Sequence, residues 1–182
     1  MGNLKNLRKS FGRYLLRKKS KALKRNVIAH NFSTAKTAGV LFYITDDNSF
    51  DYIKEFLNFL KSNNIQVVAL GYINSTKTPE ELLIRQNINI INKQDLKWNS
   101  IPKGEIVDQF INKDLDLLFD LSLKNSFALK YISSLSKASF KISIESNYHN
   151  SSDLMINIKK DESLKYFIEQ IKHYLGIINH TN

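Results

Sequence analysis

The chain of 182 residues is long enough to bury a core of its own, and its 42% hydrophobic and 11% aromatic content is that of a globular protein. Its formal net charge is +10 at pH 7, and it contains no cysteine, which excludes disulfides, thiolate zinc sites and cysteine nucleophiles and fits a reducing compartment. There is no apolar run of the ~20 residues that span a bilayer and no apolar core behind the basic N-terminus, so we expect no membrane span, no secretory signal and a cytoplasmic location.

A basic segment of 25 residues, MGNLKNLRKSFGRYLLRKKSKALKR, opens the chain and is its strongest signal. It holds ten lysines and arginines and no acidic residue, and the first acid of the chain is Asp46. Of the 27 basic residues, 11 lie in residues 1–45, which leaves 16 against 17 acidic residues in the rest of the chain. A cationic arm on a neutral body indicates a polyanionic partner. The side chains that we expect to contact it are Lys5, Arg8, Lys9, Arg13, Arg17, Lys18, Lys19, Lys21, Lys24 and Arg25.

The arm has the residue spacing of an amphipathic helix over residues 3–25. Its apolar stripe, with intervals of one, three and four residues, consists of Leu4, Leu7, Phe11, Tyr14 and Leu15. Gly12 weakens such a helix by roughly 1 kcal/mol relative to alanine, which allows a bend or partial order there. Residues 26–38 have no clear period. We therefore interpret residues 1–38 as arm and connector, and residues 39–182 as one α/β domain.

The body alternates strand patterns with helix patterns. Apolar runs of strand length occur at residues 39–45, 66–73, 87–92, 116–122, 140–146 and 154–158. Helix patterns begin at Asp47 or Asn48 and run to residue 62, begin at Thr78-Pro79 and run to residue 86, and cover residues 105–112, 126–138 and 163–178. This alternation implies right-handed βαβ crossovers and a mostly parallel sheet. The sequence predicts a three-layer α/β fold, Rossmann-like or flavodoxin-like, with five to six strands and a basic N-terminal helical arm.

Polar residues follow two of the predicted strands, at the carboxyl edge where open α/β sheets bind ligands. Asp46 and Asp47 follow the first strand, and Asp120 and Ser122 end the fourth. Such carboxylates are able to hold Mg²⁺ against a phosphate, and a Ser/His/Asp set could be drawn from Ser122, His149 and Asp120. Neither a glycine-rich phosphate loop nor a nucleophile elbow accompanies them. We therefore interpret them as cap and turn residues and expect no metal, no cofactor and no enzymatic activity.

Trp98 lies in the predicted loop of residues 93–103. A tryptophan in a loop serves either as a docking aromatic or as a lid over the core. We expect the lid.

RNA is the partner that we expect for the arm. Ten cations on a short segment suit a phosphate backbone, with Phe11 and Tyr14 available for stacking. DNA is less favoured, because neither a dimerisation heptad nor a helix-turn-helix spacing follows. We expect a ribosomal or ribosome-associated protein that contacts rRNA and neighbouring ribosomal proteins. The alternatives are a membrane surface, bound by the basic amphipathic helix, and a stripe that packs on the body and leaves the lysines solvated.

The chain resembles an uncharacterised family of small, basic bacterial α/β proteins. The likeness rests on the basic arm, on the entry AKTAGVLF (35–42) into the first strand, and on DLLFDL (116–121) followed by SKASFKI (136–142). It implies the α/β fold and no particular activity. The late strand–helix–strand segment also looks like a half-module of the two-domain glycosyltransferases that use nucleotide sugars. That likeness implies, as a further alternative, an enzyme that handles nucleotides or sugar nucleotides, although the chain has only one such domain.

Overall fold

The computed structural model describes residues 2–45, 49–80, 88–145 and 151–178, with the backbone alone for residues 2–6. Its helices are α1 (Gly2–Ala22), α2 (Ser49–Ser62), α3 (Glu105–Asn112), α4 (Phe127–Leu135) and α5 (Leu164–Ile177), and a short 3-10 helix spans Lys93–Asp95. Its strands are β1 (Thr37–Ile44), β2 (Gln66–Ile73), β3 (Ile88–Ile91), β4 (Leu117–Asp120), β5 (Phe140–Ile144) and β6 (Leu154–Ile156). None of these helices is long and apolar enough to cross a lipid bilayer.

The six strands form one parallel sheet in the order β3-β2-β1-β4-β5-β6. The chain first adds strands on one side of β1 and then, from β4 onward, on the other side. This reversal between β1 and β4 is the switch point of a Rossmann-like sheet. The predicted α/β class and the parallel sheet are confirmed.

Side chains alternate between the two faces of the sheet, and each face has its own core. On one face Val40 and Phe119 pack beneath α2 and α5. On the other face Leu41 and Leu118 pack beneath α3 and α4. Because helices cover both faces, the strands are apolar at almost every position, which is why they appear in the sequence as continuous runs.

The helix bounds follow from local caps. The hydroxyl of Ser126 accepts a hydrogen bond from the backbone N–H of Leu129 at the start of α4, and Ser163 caps α5 in the same way. The bounds predicted for β2 and for α3 are confirmed, whereas α4 ends at Leu135, three residues before its predicted end. The helix predicted to follow Thr78 lies for the most part outside the described residues.

The connector between arm and body is fixed to the body by hydrogen bonds. The amide of Asn31 donates to the carbonyl of Ile178 at 2.9 Å. The carboxylate of Asp116 accepts the backbone N–H groups of Lys36 and Thr37 at 2.7 and 2.9 Å. These bonds place the start of β1 at Thr37, two residues before the predicted start, and they tie the arm firmly to the sheet.

Candidate nucleic-acid interface

The basic helix α1 lies along the outer side of α4. Leu16 is 6% exposed and packs with Tyr131 and Leu135 of α4 and with Ile101. Phe127 packs against the same cluster. This small third core adjoins the core beneath α3 and α4 through Ile111, and it seats the arm on the body.

Gly12 is the point of closest approach between the arm and the body. A Cβ atom built on Gly12 would lie 2.4 Å from the backbone carbonyl oxygen of Asn99 and 3.2 Å from the ring of Phe127. No side chain fits at that distance, so the glycine is what lets the helix approach the body. The helix continues without a break from Gly2 to Ala22. The sequence had indicated only that Gly12 weakens the helix.

The apolar stripe predicted for the arm is not the surface that docks. Leu7, Phe11 and Tyr14 are 70%, 44% and 60% exposed. Of the stripe residues whose side chains the structure describes, only Leu15 packs against the body cluster. The docking surface lies on the neighbouring side of the helix, at Gly12 and Leu16. The alternative in which the stripe packs on the body therefore holds for Leu15 and, through its contact with Trp98, in part for Phe11, but not for Leu7 or Tyr14.

The side chain of Trp98, in a loop of the body, contacts the arm and does not cover the core. This side chain is 64% exposed, and its ring stacks on that of Phe11 with centroids 5.7 Å apart and planes inclined by 13°. The expectation of a lid over the core is wrong, because the loop carries the ring outward to meet α1. The ring of Phe11 also lies 6.5 Å from that of Tyr14, at an interplanar angle of 27°. Three exposed rings thus form one continuous aromatic surface.

Two basic residues of the arm are engaged with the body. The ammonium group of Lys19 donates to the hydroxyl of Tyr131 at 3.0 Å. The guanidinium of Arg25 donates to both carboxylate oxygens of Asp153, at 2.8 and 2.5 Å, and to the carbonyl of Ala138 at 2.8 Å. The side chains of this ion pair are only 13% and 15% exposed. Arg25 therefore serves as the anchor at the end of the arm.

The anchor adjoins a buried lysine of the body. The carboxylate of Asp153 accepts the backbone N–H of Lys141 at 2.8 Å, and the ammonium group of Lys141 donates to the carbonyl of Ser133 at 2.8 Å. Lys141 is 2% exposed. Burial, followed by the charge of Arg25, lowers the pKa of Lys141 to about 7, and the charge of Asp153 acts in the opposite direction. The sequence gives only one indication of this site. Lys141 lies between the apolar residues Phe140 and Ile142, in a strand that is covered on both faces, so its amine must be buried.

Most of the predicted RNA contacts, including Lys19, lie on the surface of the arm. Arg25 is half-buried, and the side chain of Lys5 lies outside the described residues. The other eight side chains are exposed, namely Arg8, Lys9, Arg13, Arg17, Lys18, Lys19, Lys21 and Lys24. In the part of the arm whose side chains are described, Arg25 is the only cation within 4 Å of a carboxylate.

Positive charge concentrates at the seam between the two helices. Lys130 of α4 faces Arg13 and Arg17 of α1. Burial lowers the pKa of Lys130, and the charges of Arg13 and Arg17 lower it further. Like charges at this seam repel one another, so an anion that binds there would relieve the repulsion.

The polar residues predicted at the carboxyl edge of the sheet are only partly described. Asp46, Asp47 and His149 lie outside the described residues. Asp120 and Ser122 are 2% and 3% exposed, and the carboxylate of Asp120 accepts the backbone N–H of Ser122 at 3.2 Å. That bond, two residues along the chain, is the pattern of an Asx turn and supports the interpretation of Asp120 as a turn residue. Within the described ranges no group of three or more His, Cys, Asp or Glu is placed to hold a metal ion.

Two comparisons with known proteins bear on identity. The model of a family described as "Family of unknown function (DUF6913)" matches residues 8–178, which include the arm from Arg8 onward and all six strands. A search of curated proteins found no match to the chain. The family match agrees with the resemblance to an uncharacterised family and assigns no activity.

Proposed function

The chain belongs to this family of unknown function, and we propose that it is a non-enzymatic RNA-binding protein, ribosomal or ribosome-associated, whose basic helix contacts rRNA phosphates. The proposal places the protein in the cytoplasm, with ribosomal proteins as neighbours and without a cofactor. It assigns the RNA contacts to α1 and a supporting role to the α/β body.

One observation carries the proposal. A helix of 21 residues presents seven exposed cations, Lys24 follows it as an eighth, and among its described side chains there is no acid. The body holds this helix in one orientation. Leu16 and Gly12 face the body, so most of the charged side chains face outward. Solubility alone does not require ten cations without an anion.

Docking also favours binding energetically. A disordered basic tail must lose backbone freedom when it binds, at a cost of about 1–2 kcal/mol per ordered residue. The anchor at Arg25 and the contact at Gly12 order α1 before the partner arrives. The release of counterions from the phosphate backbone then supplies the main gain, and it depends steeply on salt.

Sedimentation with ribosomes at two salt concentrations tests the proposal. We expect the full-length protein to co-sediment at low salt and to be released at high salt. The charge variant replaces four exposed residues, Arg8, Lys9, Arg13 and Arg17, with glutamine. It leaves Gly12 and Leu16, which contact the body, unchanged. Its matched control replaces four exposed lysines of the body, Lys61, Lys159, Lys160 and Lys165, so that both variants lose the same net charge.

The proposal predicts that only the charge variant of the arm loses ribosome binding. Each phosphate contact contributes roughly −0.7 to −0.9 to the slope of log K against log salt, so the loss of four contacts should flatten the slope by about 3. Equal loss in the two variants would indicate attraction by net charge alone. Full-length protein that stays out of the ribosome fraction at low salt contradicts the proposal.

A peripheral membrane protein is the second candidate, and the exposure of Leu7, Phe11 and Tyr14 is the observation that favours it. A basic helix with an open apolar face is able to lie among anionic headgroups. This function predicts flotation with anionic vesicles that is abolished by Leu7→Glu. If the Leu7→Glu variant still binds ribosomes, and if the unchanged protein does not float with anionic vesicles, RNA binding is favoured over membrane binding.

A further inference from the structure

Three aromatic rings form an exposed platform at the junction of α1 and the loop of residues 96–102. Tyr14, Phe11 and Trp98 follow one another with centroid separations of 6.5 and 5.7 Å, and their planes are inclined by only 27° and 13°. Their exposed fractions are 60%, 44% and 64%. Aromatic rings that serve the core are buried, as Phe56 and Phe167 are in this protein. In this platform, by contrast, part of each aromatic ring is exposed to solvent.

The platform is supported on both sides, by packing of α1 and by hydrogen bonding within the loop. Phe11 and Tyr14 stand on a helix that Gly12 brings into contact with the body. The loop that carries Trp98 is closed by a hydrogen bond from the N–H of Lys97 to the carbonyl of Ile101 at 2.8 Å, and Asn99 within it is 4% exposed. Rings held in place lose little further entropy on binding, which favours a stacked ligand.

Cations surround the platform. An α-helix turns ~100° per residue, which places Lys18 on the same side of α1 as Phe11 and Tyr14, and Lys21 next to Tyr14. Lys97 precedes Trp98 in the loop, and all three of these lysine side chains are exposed. Flat apolar surface between phosphate-binding groups is the combination by which proteins bind unpaired nucleic acid, with bases on the rings and phosphates on the cations.

We infer that α1 binds RNA through a single-stranded segment whose unpaired bases stack on the platform of Tyr14, Phe11 and Trp98. This inference rests on the proposed function and names the class of RNA. A duplex exposes its phosphates but hides the faces of its bases, so only unpaired nucleotides use the rings and the cations together. A lipid surface would accept the rings equally well, but it would have to accommodate Lys18 on the same side of the helix.

The only tryptophan of the chain makes the inference directly measurable, because all tryptophan fluorescence comes from Trp98. The full-length protein is titrated with a 12-nucleotide RNA that lacks self-complementarity, and with the same strand annealed to its complement, at one salt concentration. We expect the single strand to bind more tightly and to quench Trp98. The duplex should bind through charge alone and leave the emission nearly unchanged.

Two variants separate stacking from charge. Phe11→Leu keeps an apolar side chain beside the body but removes the ring, and the loss of one stacked base should weaken single-strand binding roughly 5- to 150-fold. Its effect on the duplex should be small. The control Tyr174→Leu removes a ring that is 39% exposed on α5, and it should change neither affinity. Phe11→Tyr should restore single-strand binding if the ring itself is required.

The outcomes distinguish the inference from the proposed function. Equal affinity for single strand and duplex, without quenching, overturns the stacking inference and leaves RNA binding intact. No binding of either RNA at low salt overturns both. A blue shift of Trp98 emission with phosphatidylglycerol vesicles, and none of these changes with RNA, assigns the platform to a lipid surface and also overturns the inference.

Discussion

Helices α1 and α5 have the same kind of apolar period in the sequence, but only one of them buries it. In α5 all five predicted positions are buried: Leu164, Phe167, Ile168, Ile171 and Leu175. In α1 three of the predicted positions, Leu7, Phe11 and Tyr14, are largely exposed. The comparison shows that an apolar stripe establishes which residues share a helix face, and that the surface next to the helix decides whether this face is buried.

The two helices meet different surfaces. α5 covers a face of the sheet, where Phe119, Ile142 and Ile156 present a broad apolar layer. α1 meets the outer side of a single helix, α4, where the apolar area is limited to the cluster around Leu16. This contact is narrow because α1 approaches the body closely only around Gly12 and Leu16. The apolar stripe of Leu7, Phe11 and Tyr14 is therefore accessible to water or to a partner.

Removing a phenylalanine from each helix should give the largest contrast. Phe167 is completely buried, so Phe167→Ala should lower the free energy of unfolding by about 3–5 kcal/mol. Phe11→Ala removes a half-exposed ring and should cost less than about 1.5 kcal/mol. Urea denaturation followed by circular dichroism measures both. Similar losses would show that α1 is as deeply integrated as α5.

The region that anchors the arm contains a buried ionisable group, Lys141, whereas α5 is held on the sheet by apolar side chains. The stability of the protein should therefore depend on pH through Lys141. Lys141 has a pKa of about 7 in the folded protein and about 10.4 when unfolded, so the unfolded chain binds more protons between these values. Stability should therefore rise with pH in this window, by about 2 kcal/mol from pH 7 to pH 9. Urea denaturation at several pH values measures the slope.

Lys141→Met is the control for that slope. The substitution keeps a long side chain but removes the amine, so the rise between pH 7 and pH 9 should disappear. A profile with the same slope in the variant would assign the pH dependence to other groups.

A pair of glycine substitutions should act with opposite signs on the two helices. Gly12→Ala forces a methyl group against the carbonyl of Asn99 and should destabilise the protein by about 1–2 kcal/mol, despite the better helix propensity of alanine. A Cβ atom at Gly176 meets nothing within 4 Å, so Gly176→Ala should stabilise the protein by up to about 1 kcal/mol. Thermal unfolding measures both, and trypsin cleavage after Arg13 reports undocking. Stabilisation by Gly12→Ala would contradict the close contact.

Substitution of the exposed stripe should have the smallest effect on stability. Leu7→Ser removes a side chain that is 70% exposed, and the free energy of unfolding should change by no more than about 0.5 kcal/mol. The same denaturation assay measures it. A loss above 1 kcal/mol would mean that the stripe is buried in solution, for example between two copies of the chain.

The fold was largely predictable because its elements depend on local patterns. Apolar runs predicted the six strands, and apolar periods predicted helices that begin at Ser126 and Ser163, the residues that cap α4 and α5 in the structure. The end of α4 was less predictable, because the chain there is tied to α3 through the bond from the N–H of Lys137 to the carbonyl of Ile111. Such a contact between distant segments leaves no periodic signal.

The candidate site was predictable in its charge but not in its geometry. The sequence by itself determined that the cations lie on one segment without acids and with a helical apolar period, because charge and period are properties of adjacent residues. In the structure the helix ends at Ala22, before Lys24 and Arg25. Only the tertiary structure decided that Gly12 and Leu16 face the body and that Arg25 forms an ion pair with Asp153. It also decided that the ring of Trp98 stacks on that of Phe11 at the surface. The physical reason is that burial and stacking depend on which surfaces the folded chain brings together, and the sheet order places α4 beneath the arm.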